Sequence, residues 1–561
     1  MKKRDIFKLL FLSATMALCS CNDFLDELPD NRAELDSAEK INKLLVSAYP
    51  SRSYVIMCEF ASDNNDDAGE ANHPGSGVGS RLYHNSYWMD MNEAENDSNI
   101  NTWQAYYNCI GVANTALQAI EDLGTPVQLL PAKGEALLCR AYAHFCLTML
   151  YCLPYHPEKA SEYLGITYLD APETTLNPTY VRDNLEYVYE HIAADIEAGI
   201  PLISDDNYSV PKYHFNRAAA CAFASRFYLY YMKWDKVVKY ANEVLGVNPA
   251  SLMCDWEQVS QLLWDGQTRC RAYIDTSKKH NLMMIPLVSN AGNCFFAWSG
   301  TANRFPHNNR VCKCETFRAK RPMGGPFDLW KKNASFDLYR HAPFQWEDNI
   351  TNKVYMPKWY PYWEVTDAVT GVGIGRSVLV AFTTNETILN RAEAYIHLKE
   401  YDKAVDDMEI WAESIYKVGQ QGVEPLTRER INEVYGDPTS SLYIEEYTAE
   451  KPTSRKPLHP HGFEIEPGEQ ENMIQCLLFC RRLETLGDGL RWGDVKRYGI
   501  VVDRFDDTNY IDDTTTGWTV SATLGEKDLR RAFQIPIEVT SSGGIVRNPR
   551  NEDEPGHAFI Q

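Results

Sequence analysis

Between residues 100 and 200 the apolar residues recur every three to four positions, the spacing that lines up one face of an α-helix. Ile100, Trp103, Tyr107, Ile110, Leu117 and Ile120 form the first stripe, with Asn114 in register. Leu123-Gly124-Thr125-Pro126 then supplies the glycine cap and the proline that end a helix. Residues Glu135 to Tyr151 read as a second helix. Leu185, Val188, Ile192 and Ile196 make a third stripe, closed by Gly199 and Pro201. Two stretches break the pattern. Residues 50–99 are rich in Asp, Asn, Gly and Ser, and residues 246–380 carry dense aromatics separated by Gly, Asn and Pro. Both read as loop-like, and long irregular insertions on a regular scaffold are where binding residues collect. A tail from about Gly499 to Gln561 reads as loop and short strand.

Two later segments repeat one another. Tyr228 is followed by Trp234-Asp235-Lys236-Val237-Val238, and Tyr395 by Tyr401-Asp402-Lys403-Ala404-Val405, with the same offset at every matched position. An aromatic in one helix, a short turn, then aromatic-Asp-Lys-small opening the next is the tetratricopeptide arrangement. Such a helix pair cannot bury its apolar stripe alone and stacks on its neighbour. Arg140-Ala141-Tyr142 and Arg226-Phe227-Tyr228 share a further fragment. Roughly three to four helix pairs, interrupted rather than tandem, are expected.

The N-terminus changes the picture from a scaffold to an exported one. Lys2-Lys3-Arg4 precede an apolar run from Ile6 to Leu18, too short to span a bilayer, and Leu18-Cys19-Ser20-Cys21 resembles a bacterial lipobox. Residues 1–20 are thus expected to be a signal peptide, and Cys21 to carry lipid that anchors the chain without a membrane span. The acidic start Asn22-Asp23-Phe24-Leu25-Asp26-Glu27 resembles the signal that sends lipoproteins to the outer face of some Gram-negative bacteria. Net charge is −22; Lys2, Lys3, Arg4 and Lys8 against Asp5 give residues 1–20 a charge of +3, so the remainder carries −25. Such a body repels phosphate backbones and anionic lipid, which argues against nucleic acid as a partner. Of 15 cysteines, Cys139, Cys146, Cys152 and Cys221 fall in apolar helical stretches and read as core fillers. Cys312 and Cys314, with Cys270 and Cys294 upstream, are candidates for a bridge or a metal site, although C-x-C without a second matching pair is a weak signal.

No catalytic signature emerges: there is no Walker loop, no G-x-S-x-G elbow and no H-E-x-x-H. Gly75-Ser76-Gly77-Val78-Gly79 follows His73-Pro74 rather than a strand and reads as a flexible loop. His459-Pro460-His461 reads as a surface loop or a metal contact. Asp63-Asn64-Asn65-Asp66-Asp67 offers carboxylates to calcium through Asp63, Asp66 and Asp67, or is a solvated loop; it lacks EF-hand spacing. Binding chemistry is better stocked. Sugars present apolar C–H faces on which rings stack, and hydroxyls that Asn, Asp, Arg or Gln bond. The candidates in loop-like sequence are Tyr83, Asn85, Tyr87, Trp88, Phe295, Phe296, Trp298, Asn303 and Arg304; the alternative for each ring is packing under its own loop. Trp330, Tyr355, Trp359, Tyr360, Tyr362 and Trp363 read mainly as packing, and Trp103 and Trp411 as core.

Taken together the chain resembles the SusD/RagB family of outer-membrane nutrient-binding lipoproteins. Cys21 with Asp23-Phe24-Leu25-Asp26 is similar to the family's mature start. Gly134-Glu135-Ala136, Arg140-Ala141-Tyr142, Phe145, Leu150-Tyr151 and Pro154 resemble its first helix-pair motif, with Cys152 where glycine is usual. Asn390-Arg391-Ala392-Glu393-Ala394-Tyr395 resembles a later helix. Arg481-Arg482, Gly487, Asp488, Gly489, Arg491, Asp494 and Lys496-Arg497 resemble the Glu-Gly-x-Arg turn and its helix, with Asp488 in place of Glu. Ile535-Pro536, Glu538 and Asn548-Pro549 resemble the closing segment. The resemblance implies a mainly α fold, a tetratricopeptide-like helix-pair scaffold with a loop-rich ligand face and minor β structure. The expected organisation is an N-terminal region 21–245 with the anchor and first repeats, a loop-rich insertion 246–380, and a C-terminal region 381–561. It further implies a non-catalytic surface lipoprotein without cofactor that binds an oligosaccharide and caps a SusC-like TonB-dependent transporter. A peptide or other nutrient receptor on the same scaffold, a surface glycoside hydrolase and a purely structural adaptor remain as alternatives.

Overall fold

The computed structural model describes residues 35–70, 78–93, 96–175, 178–262, 266–295, 304–324, 358–419, 422–508 and 517–551. The three predicted stripes are helices: α3 (Asn99–Asp122), α4 (Leu130–Tyr151) and α5 (Leu185–Gly199), preceded by α1 (Val55–Ala61) and α2 (Val78–Ser86). The repeated segments are the helix pairs α6 (Arg217–Tyr230) with α7 (Trp234–Leu245), and α8 (Thr384–His397) with α9 (Tyr401–Ile415). Polar side chains set their starts. Ser98, Asn184, Asn216 and Thr383 accept from the backbone N–H groups of Asn101, Tyr187, Ala219 and Glu386, satisfying donors that have no partner inside the helix.

The ends share one device. Beyond α3, α6 and α8 the chain turns through Gly124, Met232 and Lys399, all in the left-handed region (φ 78°, 58° and 62°). The next N–H returns to a carbonyl five residues back: Thr125 to Ile120, Lys233 to Tyr228 and Glu400 to Tyr395. This Schellman closure reverses the chain so that each helix lies against its successor. Helix α8 packs on α7 as well as α9, and α10 (Glu469–Glu484) covers its far side.

Among the described residues two small antiparallel sheets stand beside the helices. Strands β1 (Asn281–Val288), β2 (Tyr362–Asp367) and β3 (Val372–Thr383) lie in the order β1-β3-β2, and β4 (Val502–Asp506) pairs with β5 (Thr519–Leu524). Strand β3 runs straight into α8, so the sheet is anchored to the helical platform through Thr383. Trp411, expected in the core, is fully buried, and Trp103 nearly so. The cysteines of the described residues are free thiols, and Cys312 and Cys314 form no bridge.

Three expectations need correction. Residues 50–99 are not simply loop: every residue of α1 is buried. The segment Asp63 to Asp67 is not solvated, because each of its five residues is at most 4% exposed. Its polarity is matched by cations far away in the chain, which no local pattern signals. Trp363 is not packing; it is 62% exposed on the hairpin β2–β3, where its indole lies over Gly373 so closely that a Cβ there would stand 2.6 Å from its Nε1.

Candidate ligand-binding face

The face is assembled where three backbone segments lace together. Asp67 N–H donates to Phe505 O (2.9 Å), Ala68 N–H to Arg304 O (2.7 Å) and Asp507 N–H to Asp67 O (2.8 Å). Into this seam α2 delivers Tyr83, with Tyr87 one turn further on; their ring centroids lie 4.8 Å apart. Phe305 closes the other side, 6.2 Å from Tyr83 and 5.9 Å from Tyr87. The Arg304 guanidinium lies 4.9 Å over the Tyr83 ring and 5.3 Å over Phe305, a cation–π placement. Both tyrosines are half-buried, so each keeps a rim in solvent.

Asp67 sets the orientation of this group. Its carboxylate accepts from Arg304 Nε (2.6 Å) and Nη2 (2.7 Å), from Tyr87 OH (2.6 Å) and from Gly69 N–H (2.8 Å). Burial pushes this carboxyl up, but the bonds from Arg304, Tyr87 and Gly69 outweigh it and hold Asp67 below its ordinary value. Burial and the Asp67 contact push the Tyr87 hydroxyl up to about 12, so it stays a donor. The arrangement therefore offers half-exposed rings and a guanidinium fixed in place by a bidentate acid pair.

Beneath the face lies a buried layer of charge. Asp63 accepts from Arg491 Nε (2.8 Å) and Nη2 (2.9 Å) and lies 3.3 Å from Arg482. Glu315 meets Arg310 (2.8 Å), Arg482 (2.9 Å) and Lys456 (2.7 Å), and Asp66 pairs with Arg310. Burial raises Glu315, yet Lys456, Arg310 and Arg482 win and hold it at about 2. Asp63, Asp66 and Asp67, the candidate calcium ligands, thus each face guanidinium groups that take up the oxygens a cation would need. Among the described residues no three or more His, Cys, Asp or Glu side chains are gathered for a metal ion.

Of the residues singled out from sequence, Tyr83, Tyr87 and Arg304 come together here. Asn85 and Trp88 do not, being 1% and 3% exposed; the Trp88 indole N–H donates to Ala61 O (2.8 Å) under the Arg504 guanidinium. Phe295 is 6% exposed and stacked on Phe60 at 5.7 Å, so it packs under its loop. Cys21, Phe296, Trp298 and Asn303 lie outside the described residues. Sequence reasoning missed Phe305, whose only signal is its place beside Arg304, and the role of Asp67 as the partner that orients Arg304.

The comparisons find proteins similar to this arrangement of a helix-pair platform and a loop-built face. Residues 23–229 match the SusD-like family model described as starch-binding and associating with the outer membrane. A putative sugar binding protein from Bacteroides vulgatus has the same fold at 17% identity and a TM-score of 0.59, over 92% of this chain and 99% of that one. A SusD-like carbohydrate binding protein from Bacteroides vulgatus matches at 14% identity and a TM-score of 0.60, over 90% and 96%. A laminarin binding SusD-like protein matches at 15% identity and a TM-score of 0.50, over 92% and 99%. No curated protein matches this sequence. Residues 23–229 thus resemble that family model, and the fold of the chain is the one these solved structures share.

Proposed function

We propose that this protein is a lipid-anchored, non-catalytic subunit of the outer membrane that binds a glycan on the Tyr83–Arg304 face and delivers it to a SusC-like TonB-dependent transporter. The observation that carries the binding step is the pinned guanidinium beside half-buried rings: Tyr83 and Tyr87, packed on the buried Phe305, present apolar surface to a sugar's C–H face, while Arg304 keeps N–H donors for its hydroxyls. Asp67 is committed to Arg304 and Tyr87, so the carboxylate nearest the ligand orients rather than protonates. The lipobox at Cys21 and the family's association with the outer membrane support the location. Among the described residues no helix is long and apolar enough to cross a membrane.

Affinity gels and calorimetry against a panel of polysaccharides test this reading. At least one glycan is expected to bind, and Tyr83→Ala and Arg304→Ala are each expected to weaken it about tenfold, or about 1.4 kcal/mol. Clear peptide binding with no glycan bound would replace the glycan by a peptide. Sugar release from a bound glycan without added enzyme would make the protein a hydrolase.

A further inference from the structure

Helix α3 is unlike α7 and α9 in what it shows to solvent. From Asn99 to Ile120 it holds no charged residue, yet Gln104, Asn108, Gly111, Thr115 and Gln118 are exposed at helical spacing. This uncharged face runs for about 21 Å. Helices α7 and α9 are ordinary surface helices, with Asp235, Lys239 and Glu243, and Asp402, Lys403, Asp406 and Glu413, in solvent. Charge is usual on a solvated face and depleted at the centre of a protein–protein contact.

Gly111 sharpens the contrast. It sits in the middle of α3, where glycine weakens a helix relative to alanine. Neither a left-handed backbone nor a neighbouring atom calls for it, since a Cβ at this position would meet nothing within 4 Å. What a bare position offers is room for a second helix to approach closely.

Two open cavities adjoin this face and share Asn108 and Val112. The first, of about 650 Å³, has Trp103 and Tyr107 on α3, with ring centroids 4.8 Å apart, and is walled by Leu169, Tyr180, Val539 and Ile545. Its wall is fixed in advance, because the buried Asn114 donates from Nδ2 to Leu169 O (3.0 Å) and Ala171 O (3.1 Å). The second, of about 700 Å³, reaches Val46, which is 61% exposed, and Met284 to Pro286 on β1. Charge narrows the choice of occupant. Neither cavity is lined by Lys or Arg. Glu173 and Glu538 line the first, both exposed and without an ion pair among the described residues. His214 in the second is already bonded to Glu135 (2.8 Å). With a net charge of −22 on the chain, a second copy is repelled from this surface and a basic segment attracted to it.

We propose that α3 is a docking surface for a helical segment of a partner protein, small and apolar where it crosses Gly111 and bearing Lys or Arg that reach Glu173 and Glu538. The apolar side chains of such a segment fill the cavity over Trp103 and Tyr107, the helix-in-groove mode of recognition. The surface shares no lining residue with the Tyr83–Arg304 face and does not depend on the glycan reading.

The test is calorimetric titration of the whole protein with an amphipathic helical peptide of Leu, Ala and Lys, beside the same peptide with Glu in place of Lys. The lysine peptide is expected to bind one-to-one and the glutamate peptide to give no heat. Gly111→Gln should lower that affinity about tenfold or more without lowering the unfolding temperature, since its side chain enters open space. Glu173→Gln and Glu538→Gln should each lower it about twofold to fivefold and flatten its salt dependence. Glu257→Gln, an exposed acid lining neither cavity, should leave it unchanged. Tyr83→Ala should leave peptide binding intact and Gly111→Gln glycan binding intact, so the two sites fail separately. Absence of lysine-peptide binding, affinity unmoved by Gly111→Gln, equal losses at Glu257 and Glu538, or binding of both peptides would each overturn the proposal. So would a dimer in sedimentation that Gly111→Gln dissociates, which makes a second copy the occupant. A fall in unfolding temperature with Gly111→Gln would overturn it too, by making the chain itself the occupant.

Discussion

At Glu59 the chain buries a carboxyl group that makes no ion pair among the described residues. It accepts from Gly487 N–H (3.0 Å), Gly489 N–H (2.9 Å) and Asn64 Nδ2 (2.8 Å). Burial dominates those bonds and raises its pKa from 4.5 to about 7. A raised carboxyl means that the folded state keeps the proton where the unfolded chain has lost it. Its stabilising contribution is thus present below about pH 4.5 and is lost as pH rises towards 7, about 3 kcal/mol over the window. Glu315, held at about 2, behaves oppositely: its contribution is present above about pH 4.5 and fades only in strong acid. Urea unfolding near pH 4.5 and pH 7.5 checks the sign at Glu59. Relative to Glu59→Gln, the wild type should lose about 3 kcal/mol between the two conditions, and parallel profiles would refute the raised value. Residues of this kind were not legible beforehand. Glu59 stands in sequence as one of many acids, and only the glycine turn folded over it decides its chemistry. Tyr83 and Arg304 were singled out as aromatic and guanidinium groups in loop-like sequence, and the structure brings the two together. Asn85, on α2, and Trp88, just beyond its end, looked the same and are buried.

Helices and turns follow from local pattern, and the local pattern was mostly sufficient. The repeat of Tyr228 and Trp234 at Tyr395 and Tyr401 anticipated both helix pairs, and the shared closure at Met232 and Lys399 shows why the register is equal: matching turns place aromatics at matching positions. Contact between elements is less local. Gly134 lies within α4 where an added Cβ would stand 2.8 Å from Gly199 O and 2.9 Å from Leu202 Cβ. Alanine in a helix interior normally stabilises by roughly 0.5–1 kcal/mol over glycine. Here Gly134→Ala is expected to destabilise by about 1–3 kcal/mol, because the end of α5 is backbone that must move away. Equilibrium unfolding measures it, and a variant as stable as the parent would show that α4 and α5 do not approach so closely.

Across the whole molecule, buried ion pairs tie the loop-built face to the helices. Asp63 to Arg491, Glu315 to Arg482 and Arg226 to Glu386 each join residues more than 150 positions apart, and one hydrophobic cluster runs from Ile41 to Ile545. Removing one partner of such a pair leaves a buried charge unmatched, which is why these contacts hold the face in one arrangement. The molecule's attachment to its membrane, in contrast, is proposed to rest on a single thiol. Cys21→Ala is expected to leave the outer-membrane fraction and to stop incorporating labelled palmitate; continued labelling would move the anchor elsewhere.

What the amino-acid order determined by itself is what neighbours along the chain decide: helix periodicity, caps and turns. Interactions spanning four or five residues are written in consecutive letters, so they can be read. Which acid meets which arginine, and which rings of a polar stretch stay in solvent, were decided only by the tertiary structure. Such meetings join segments hundreds of residues apart, and burial then sets the energy of each charge by its surroundings rather than by its place in the sequence.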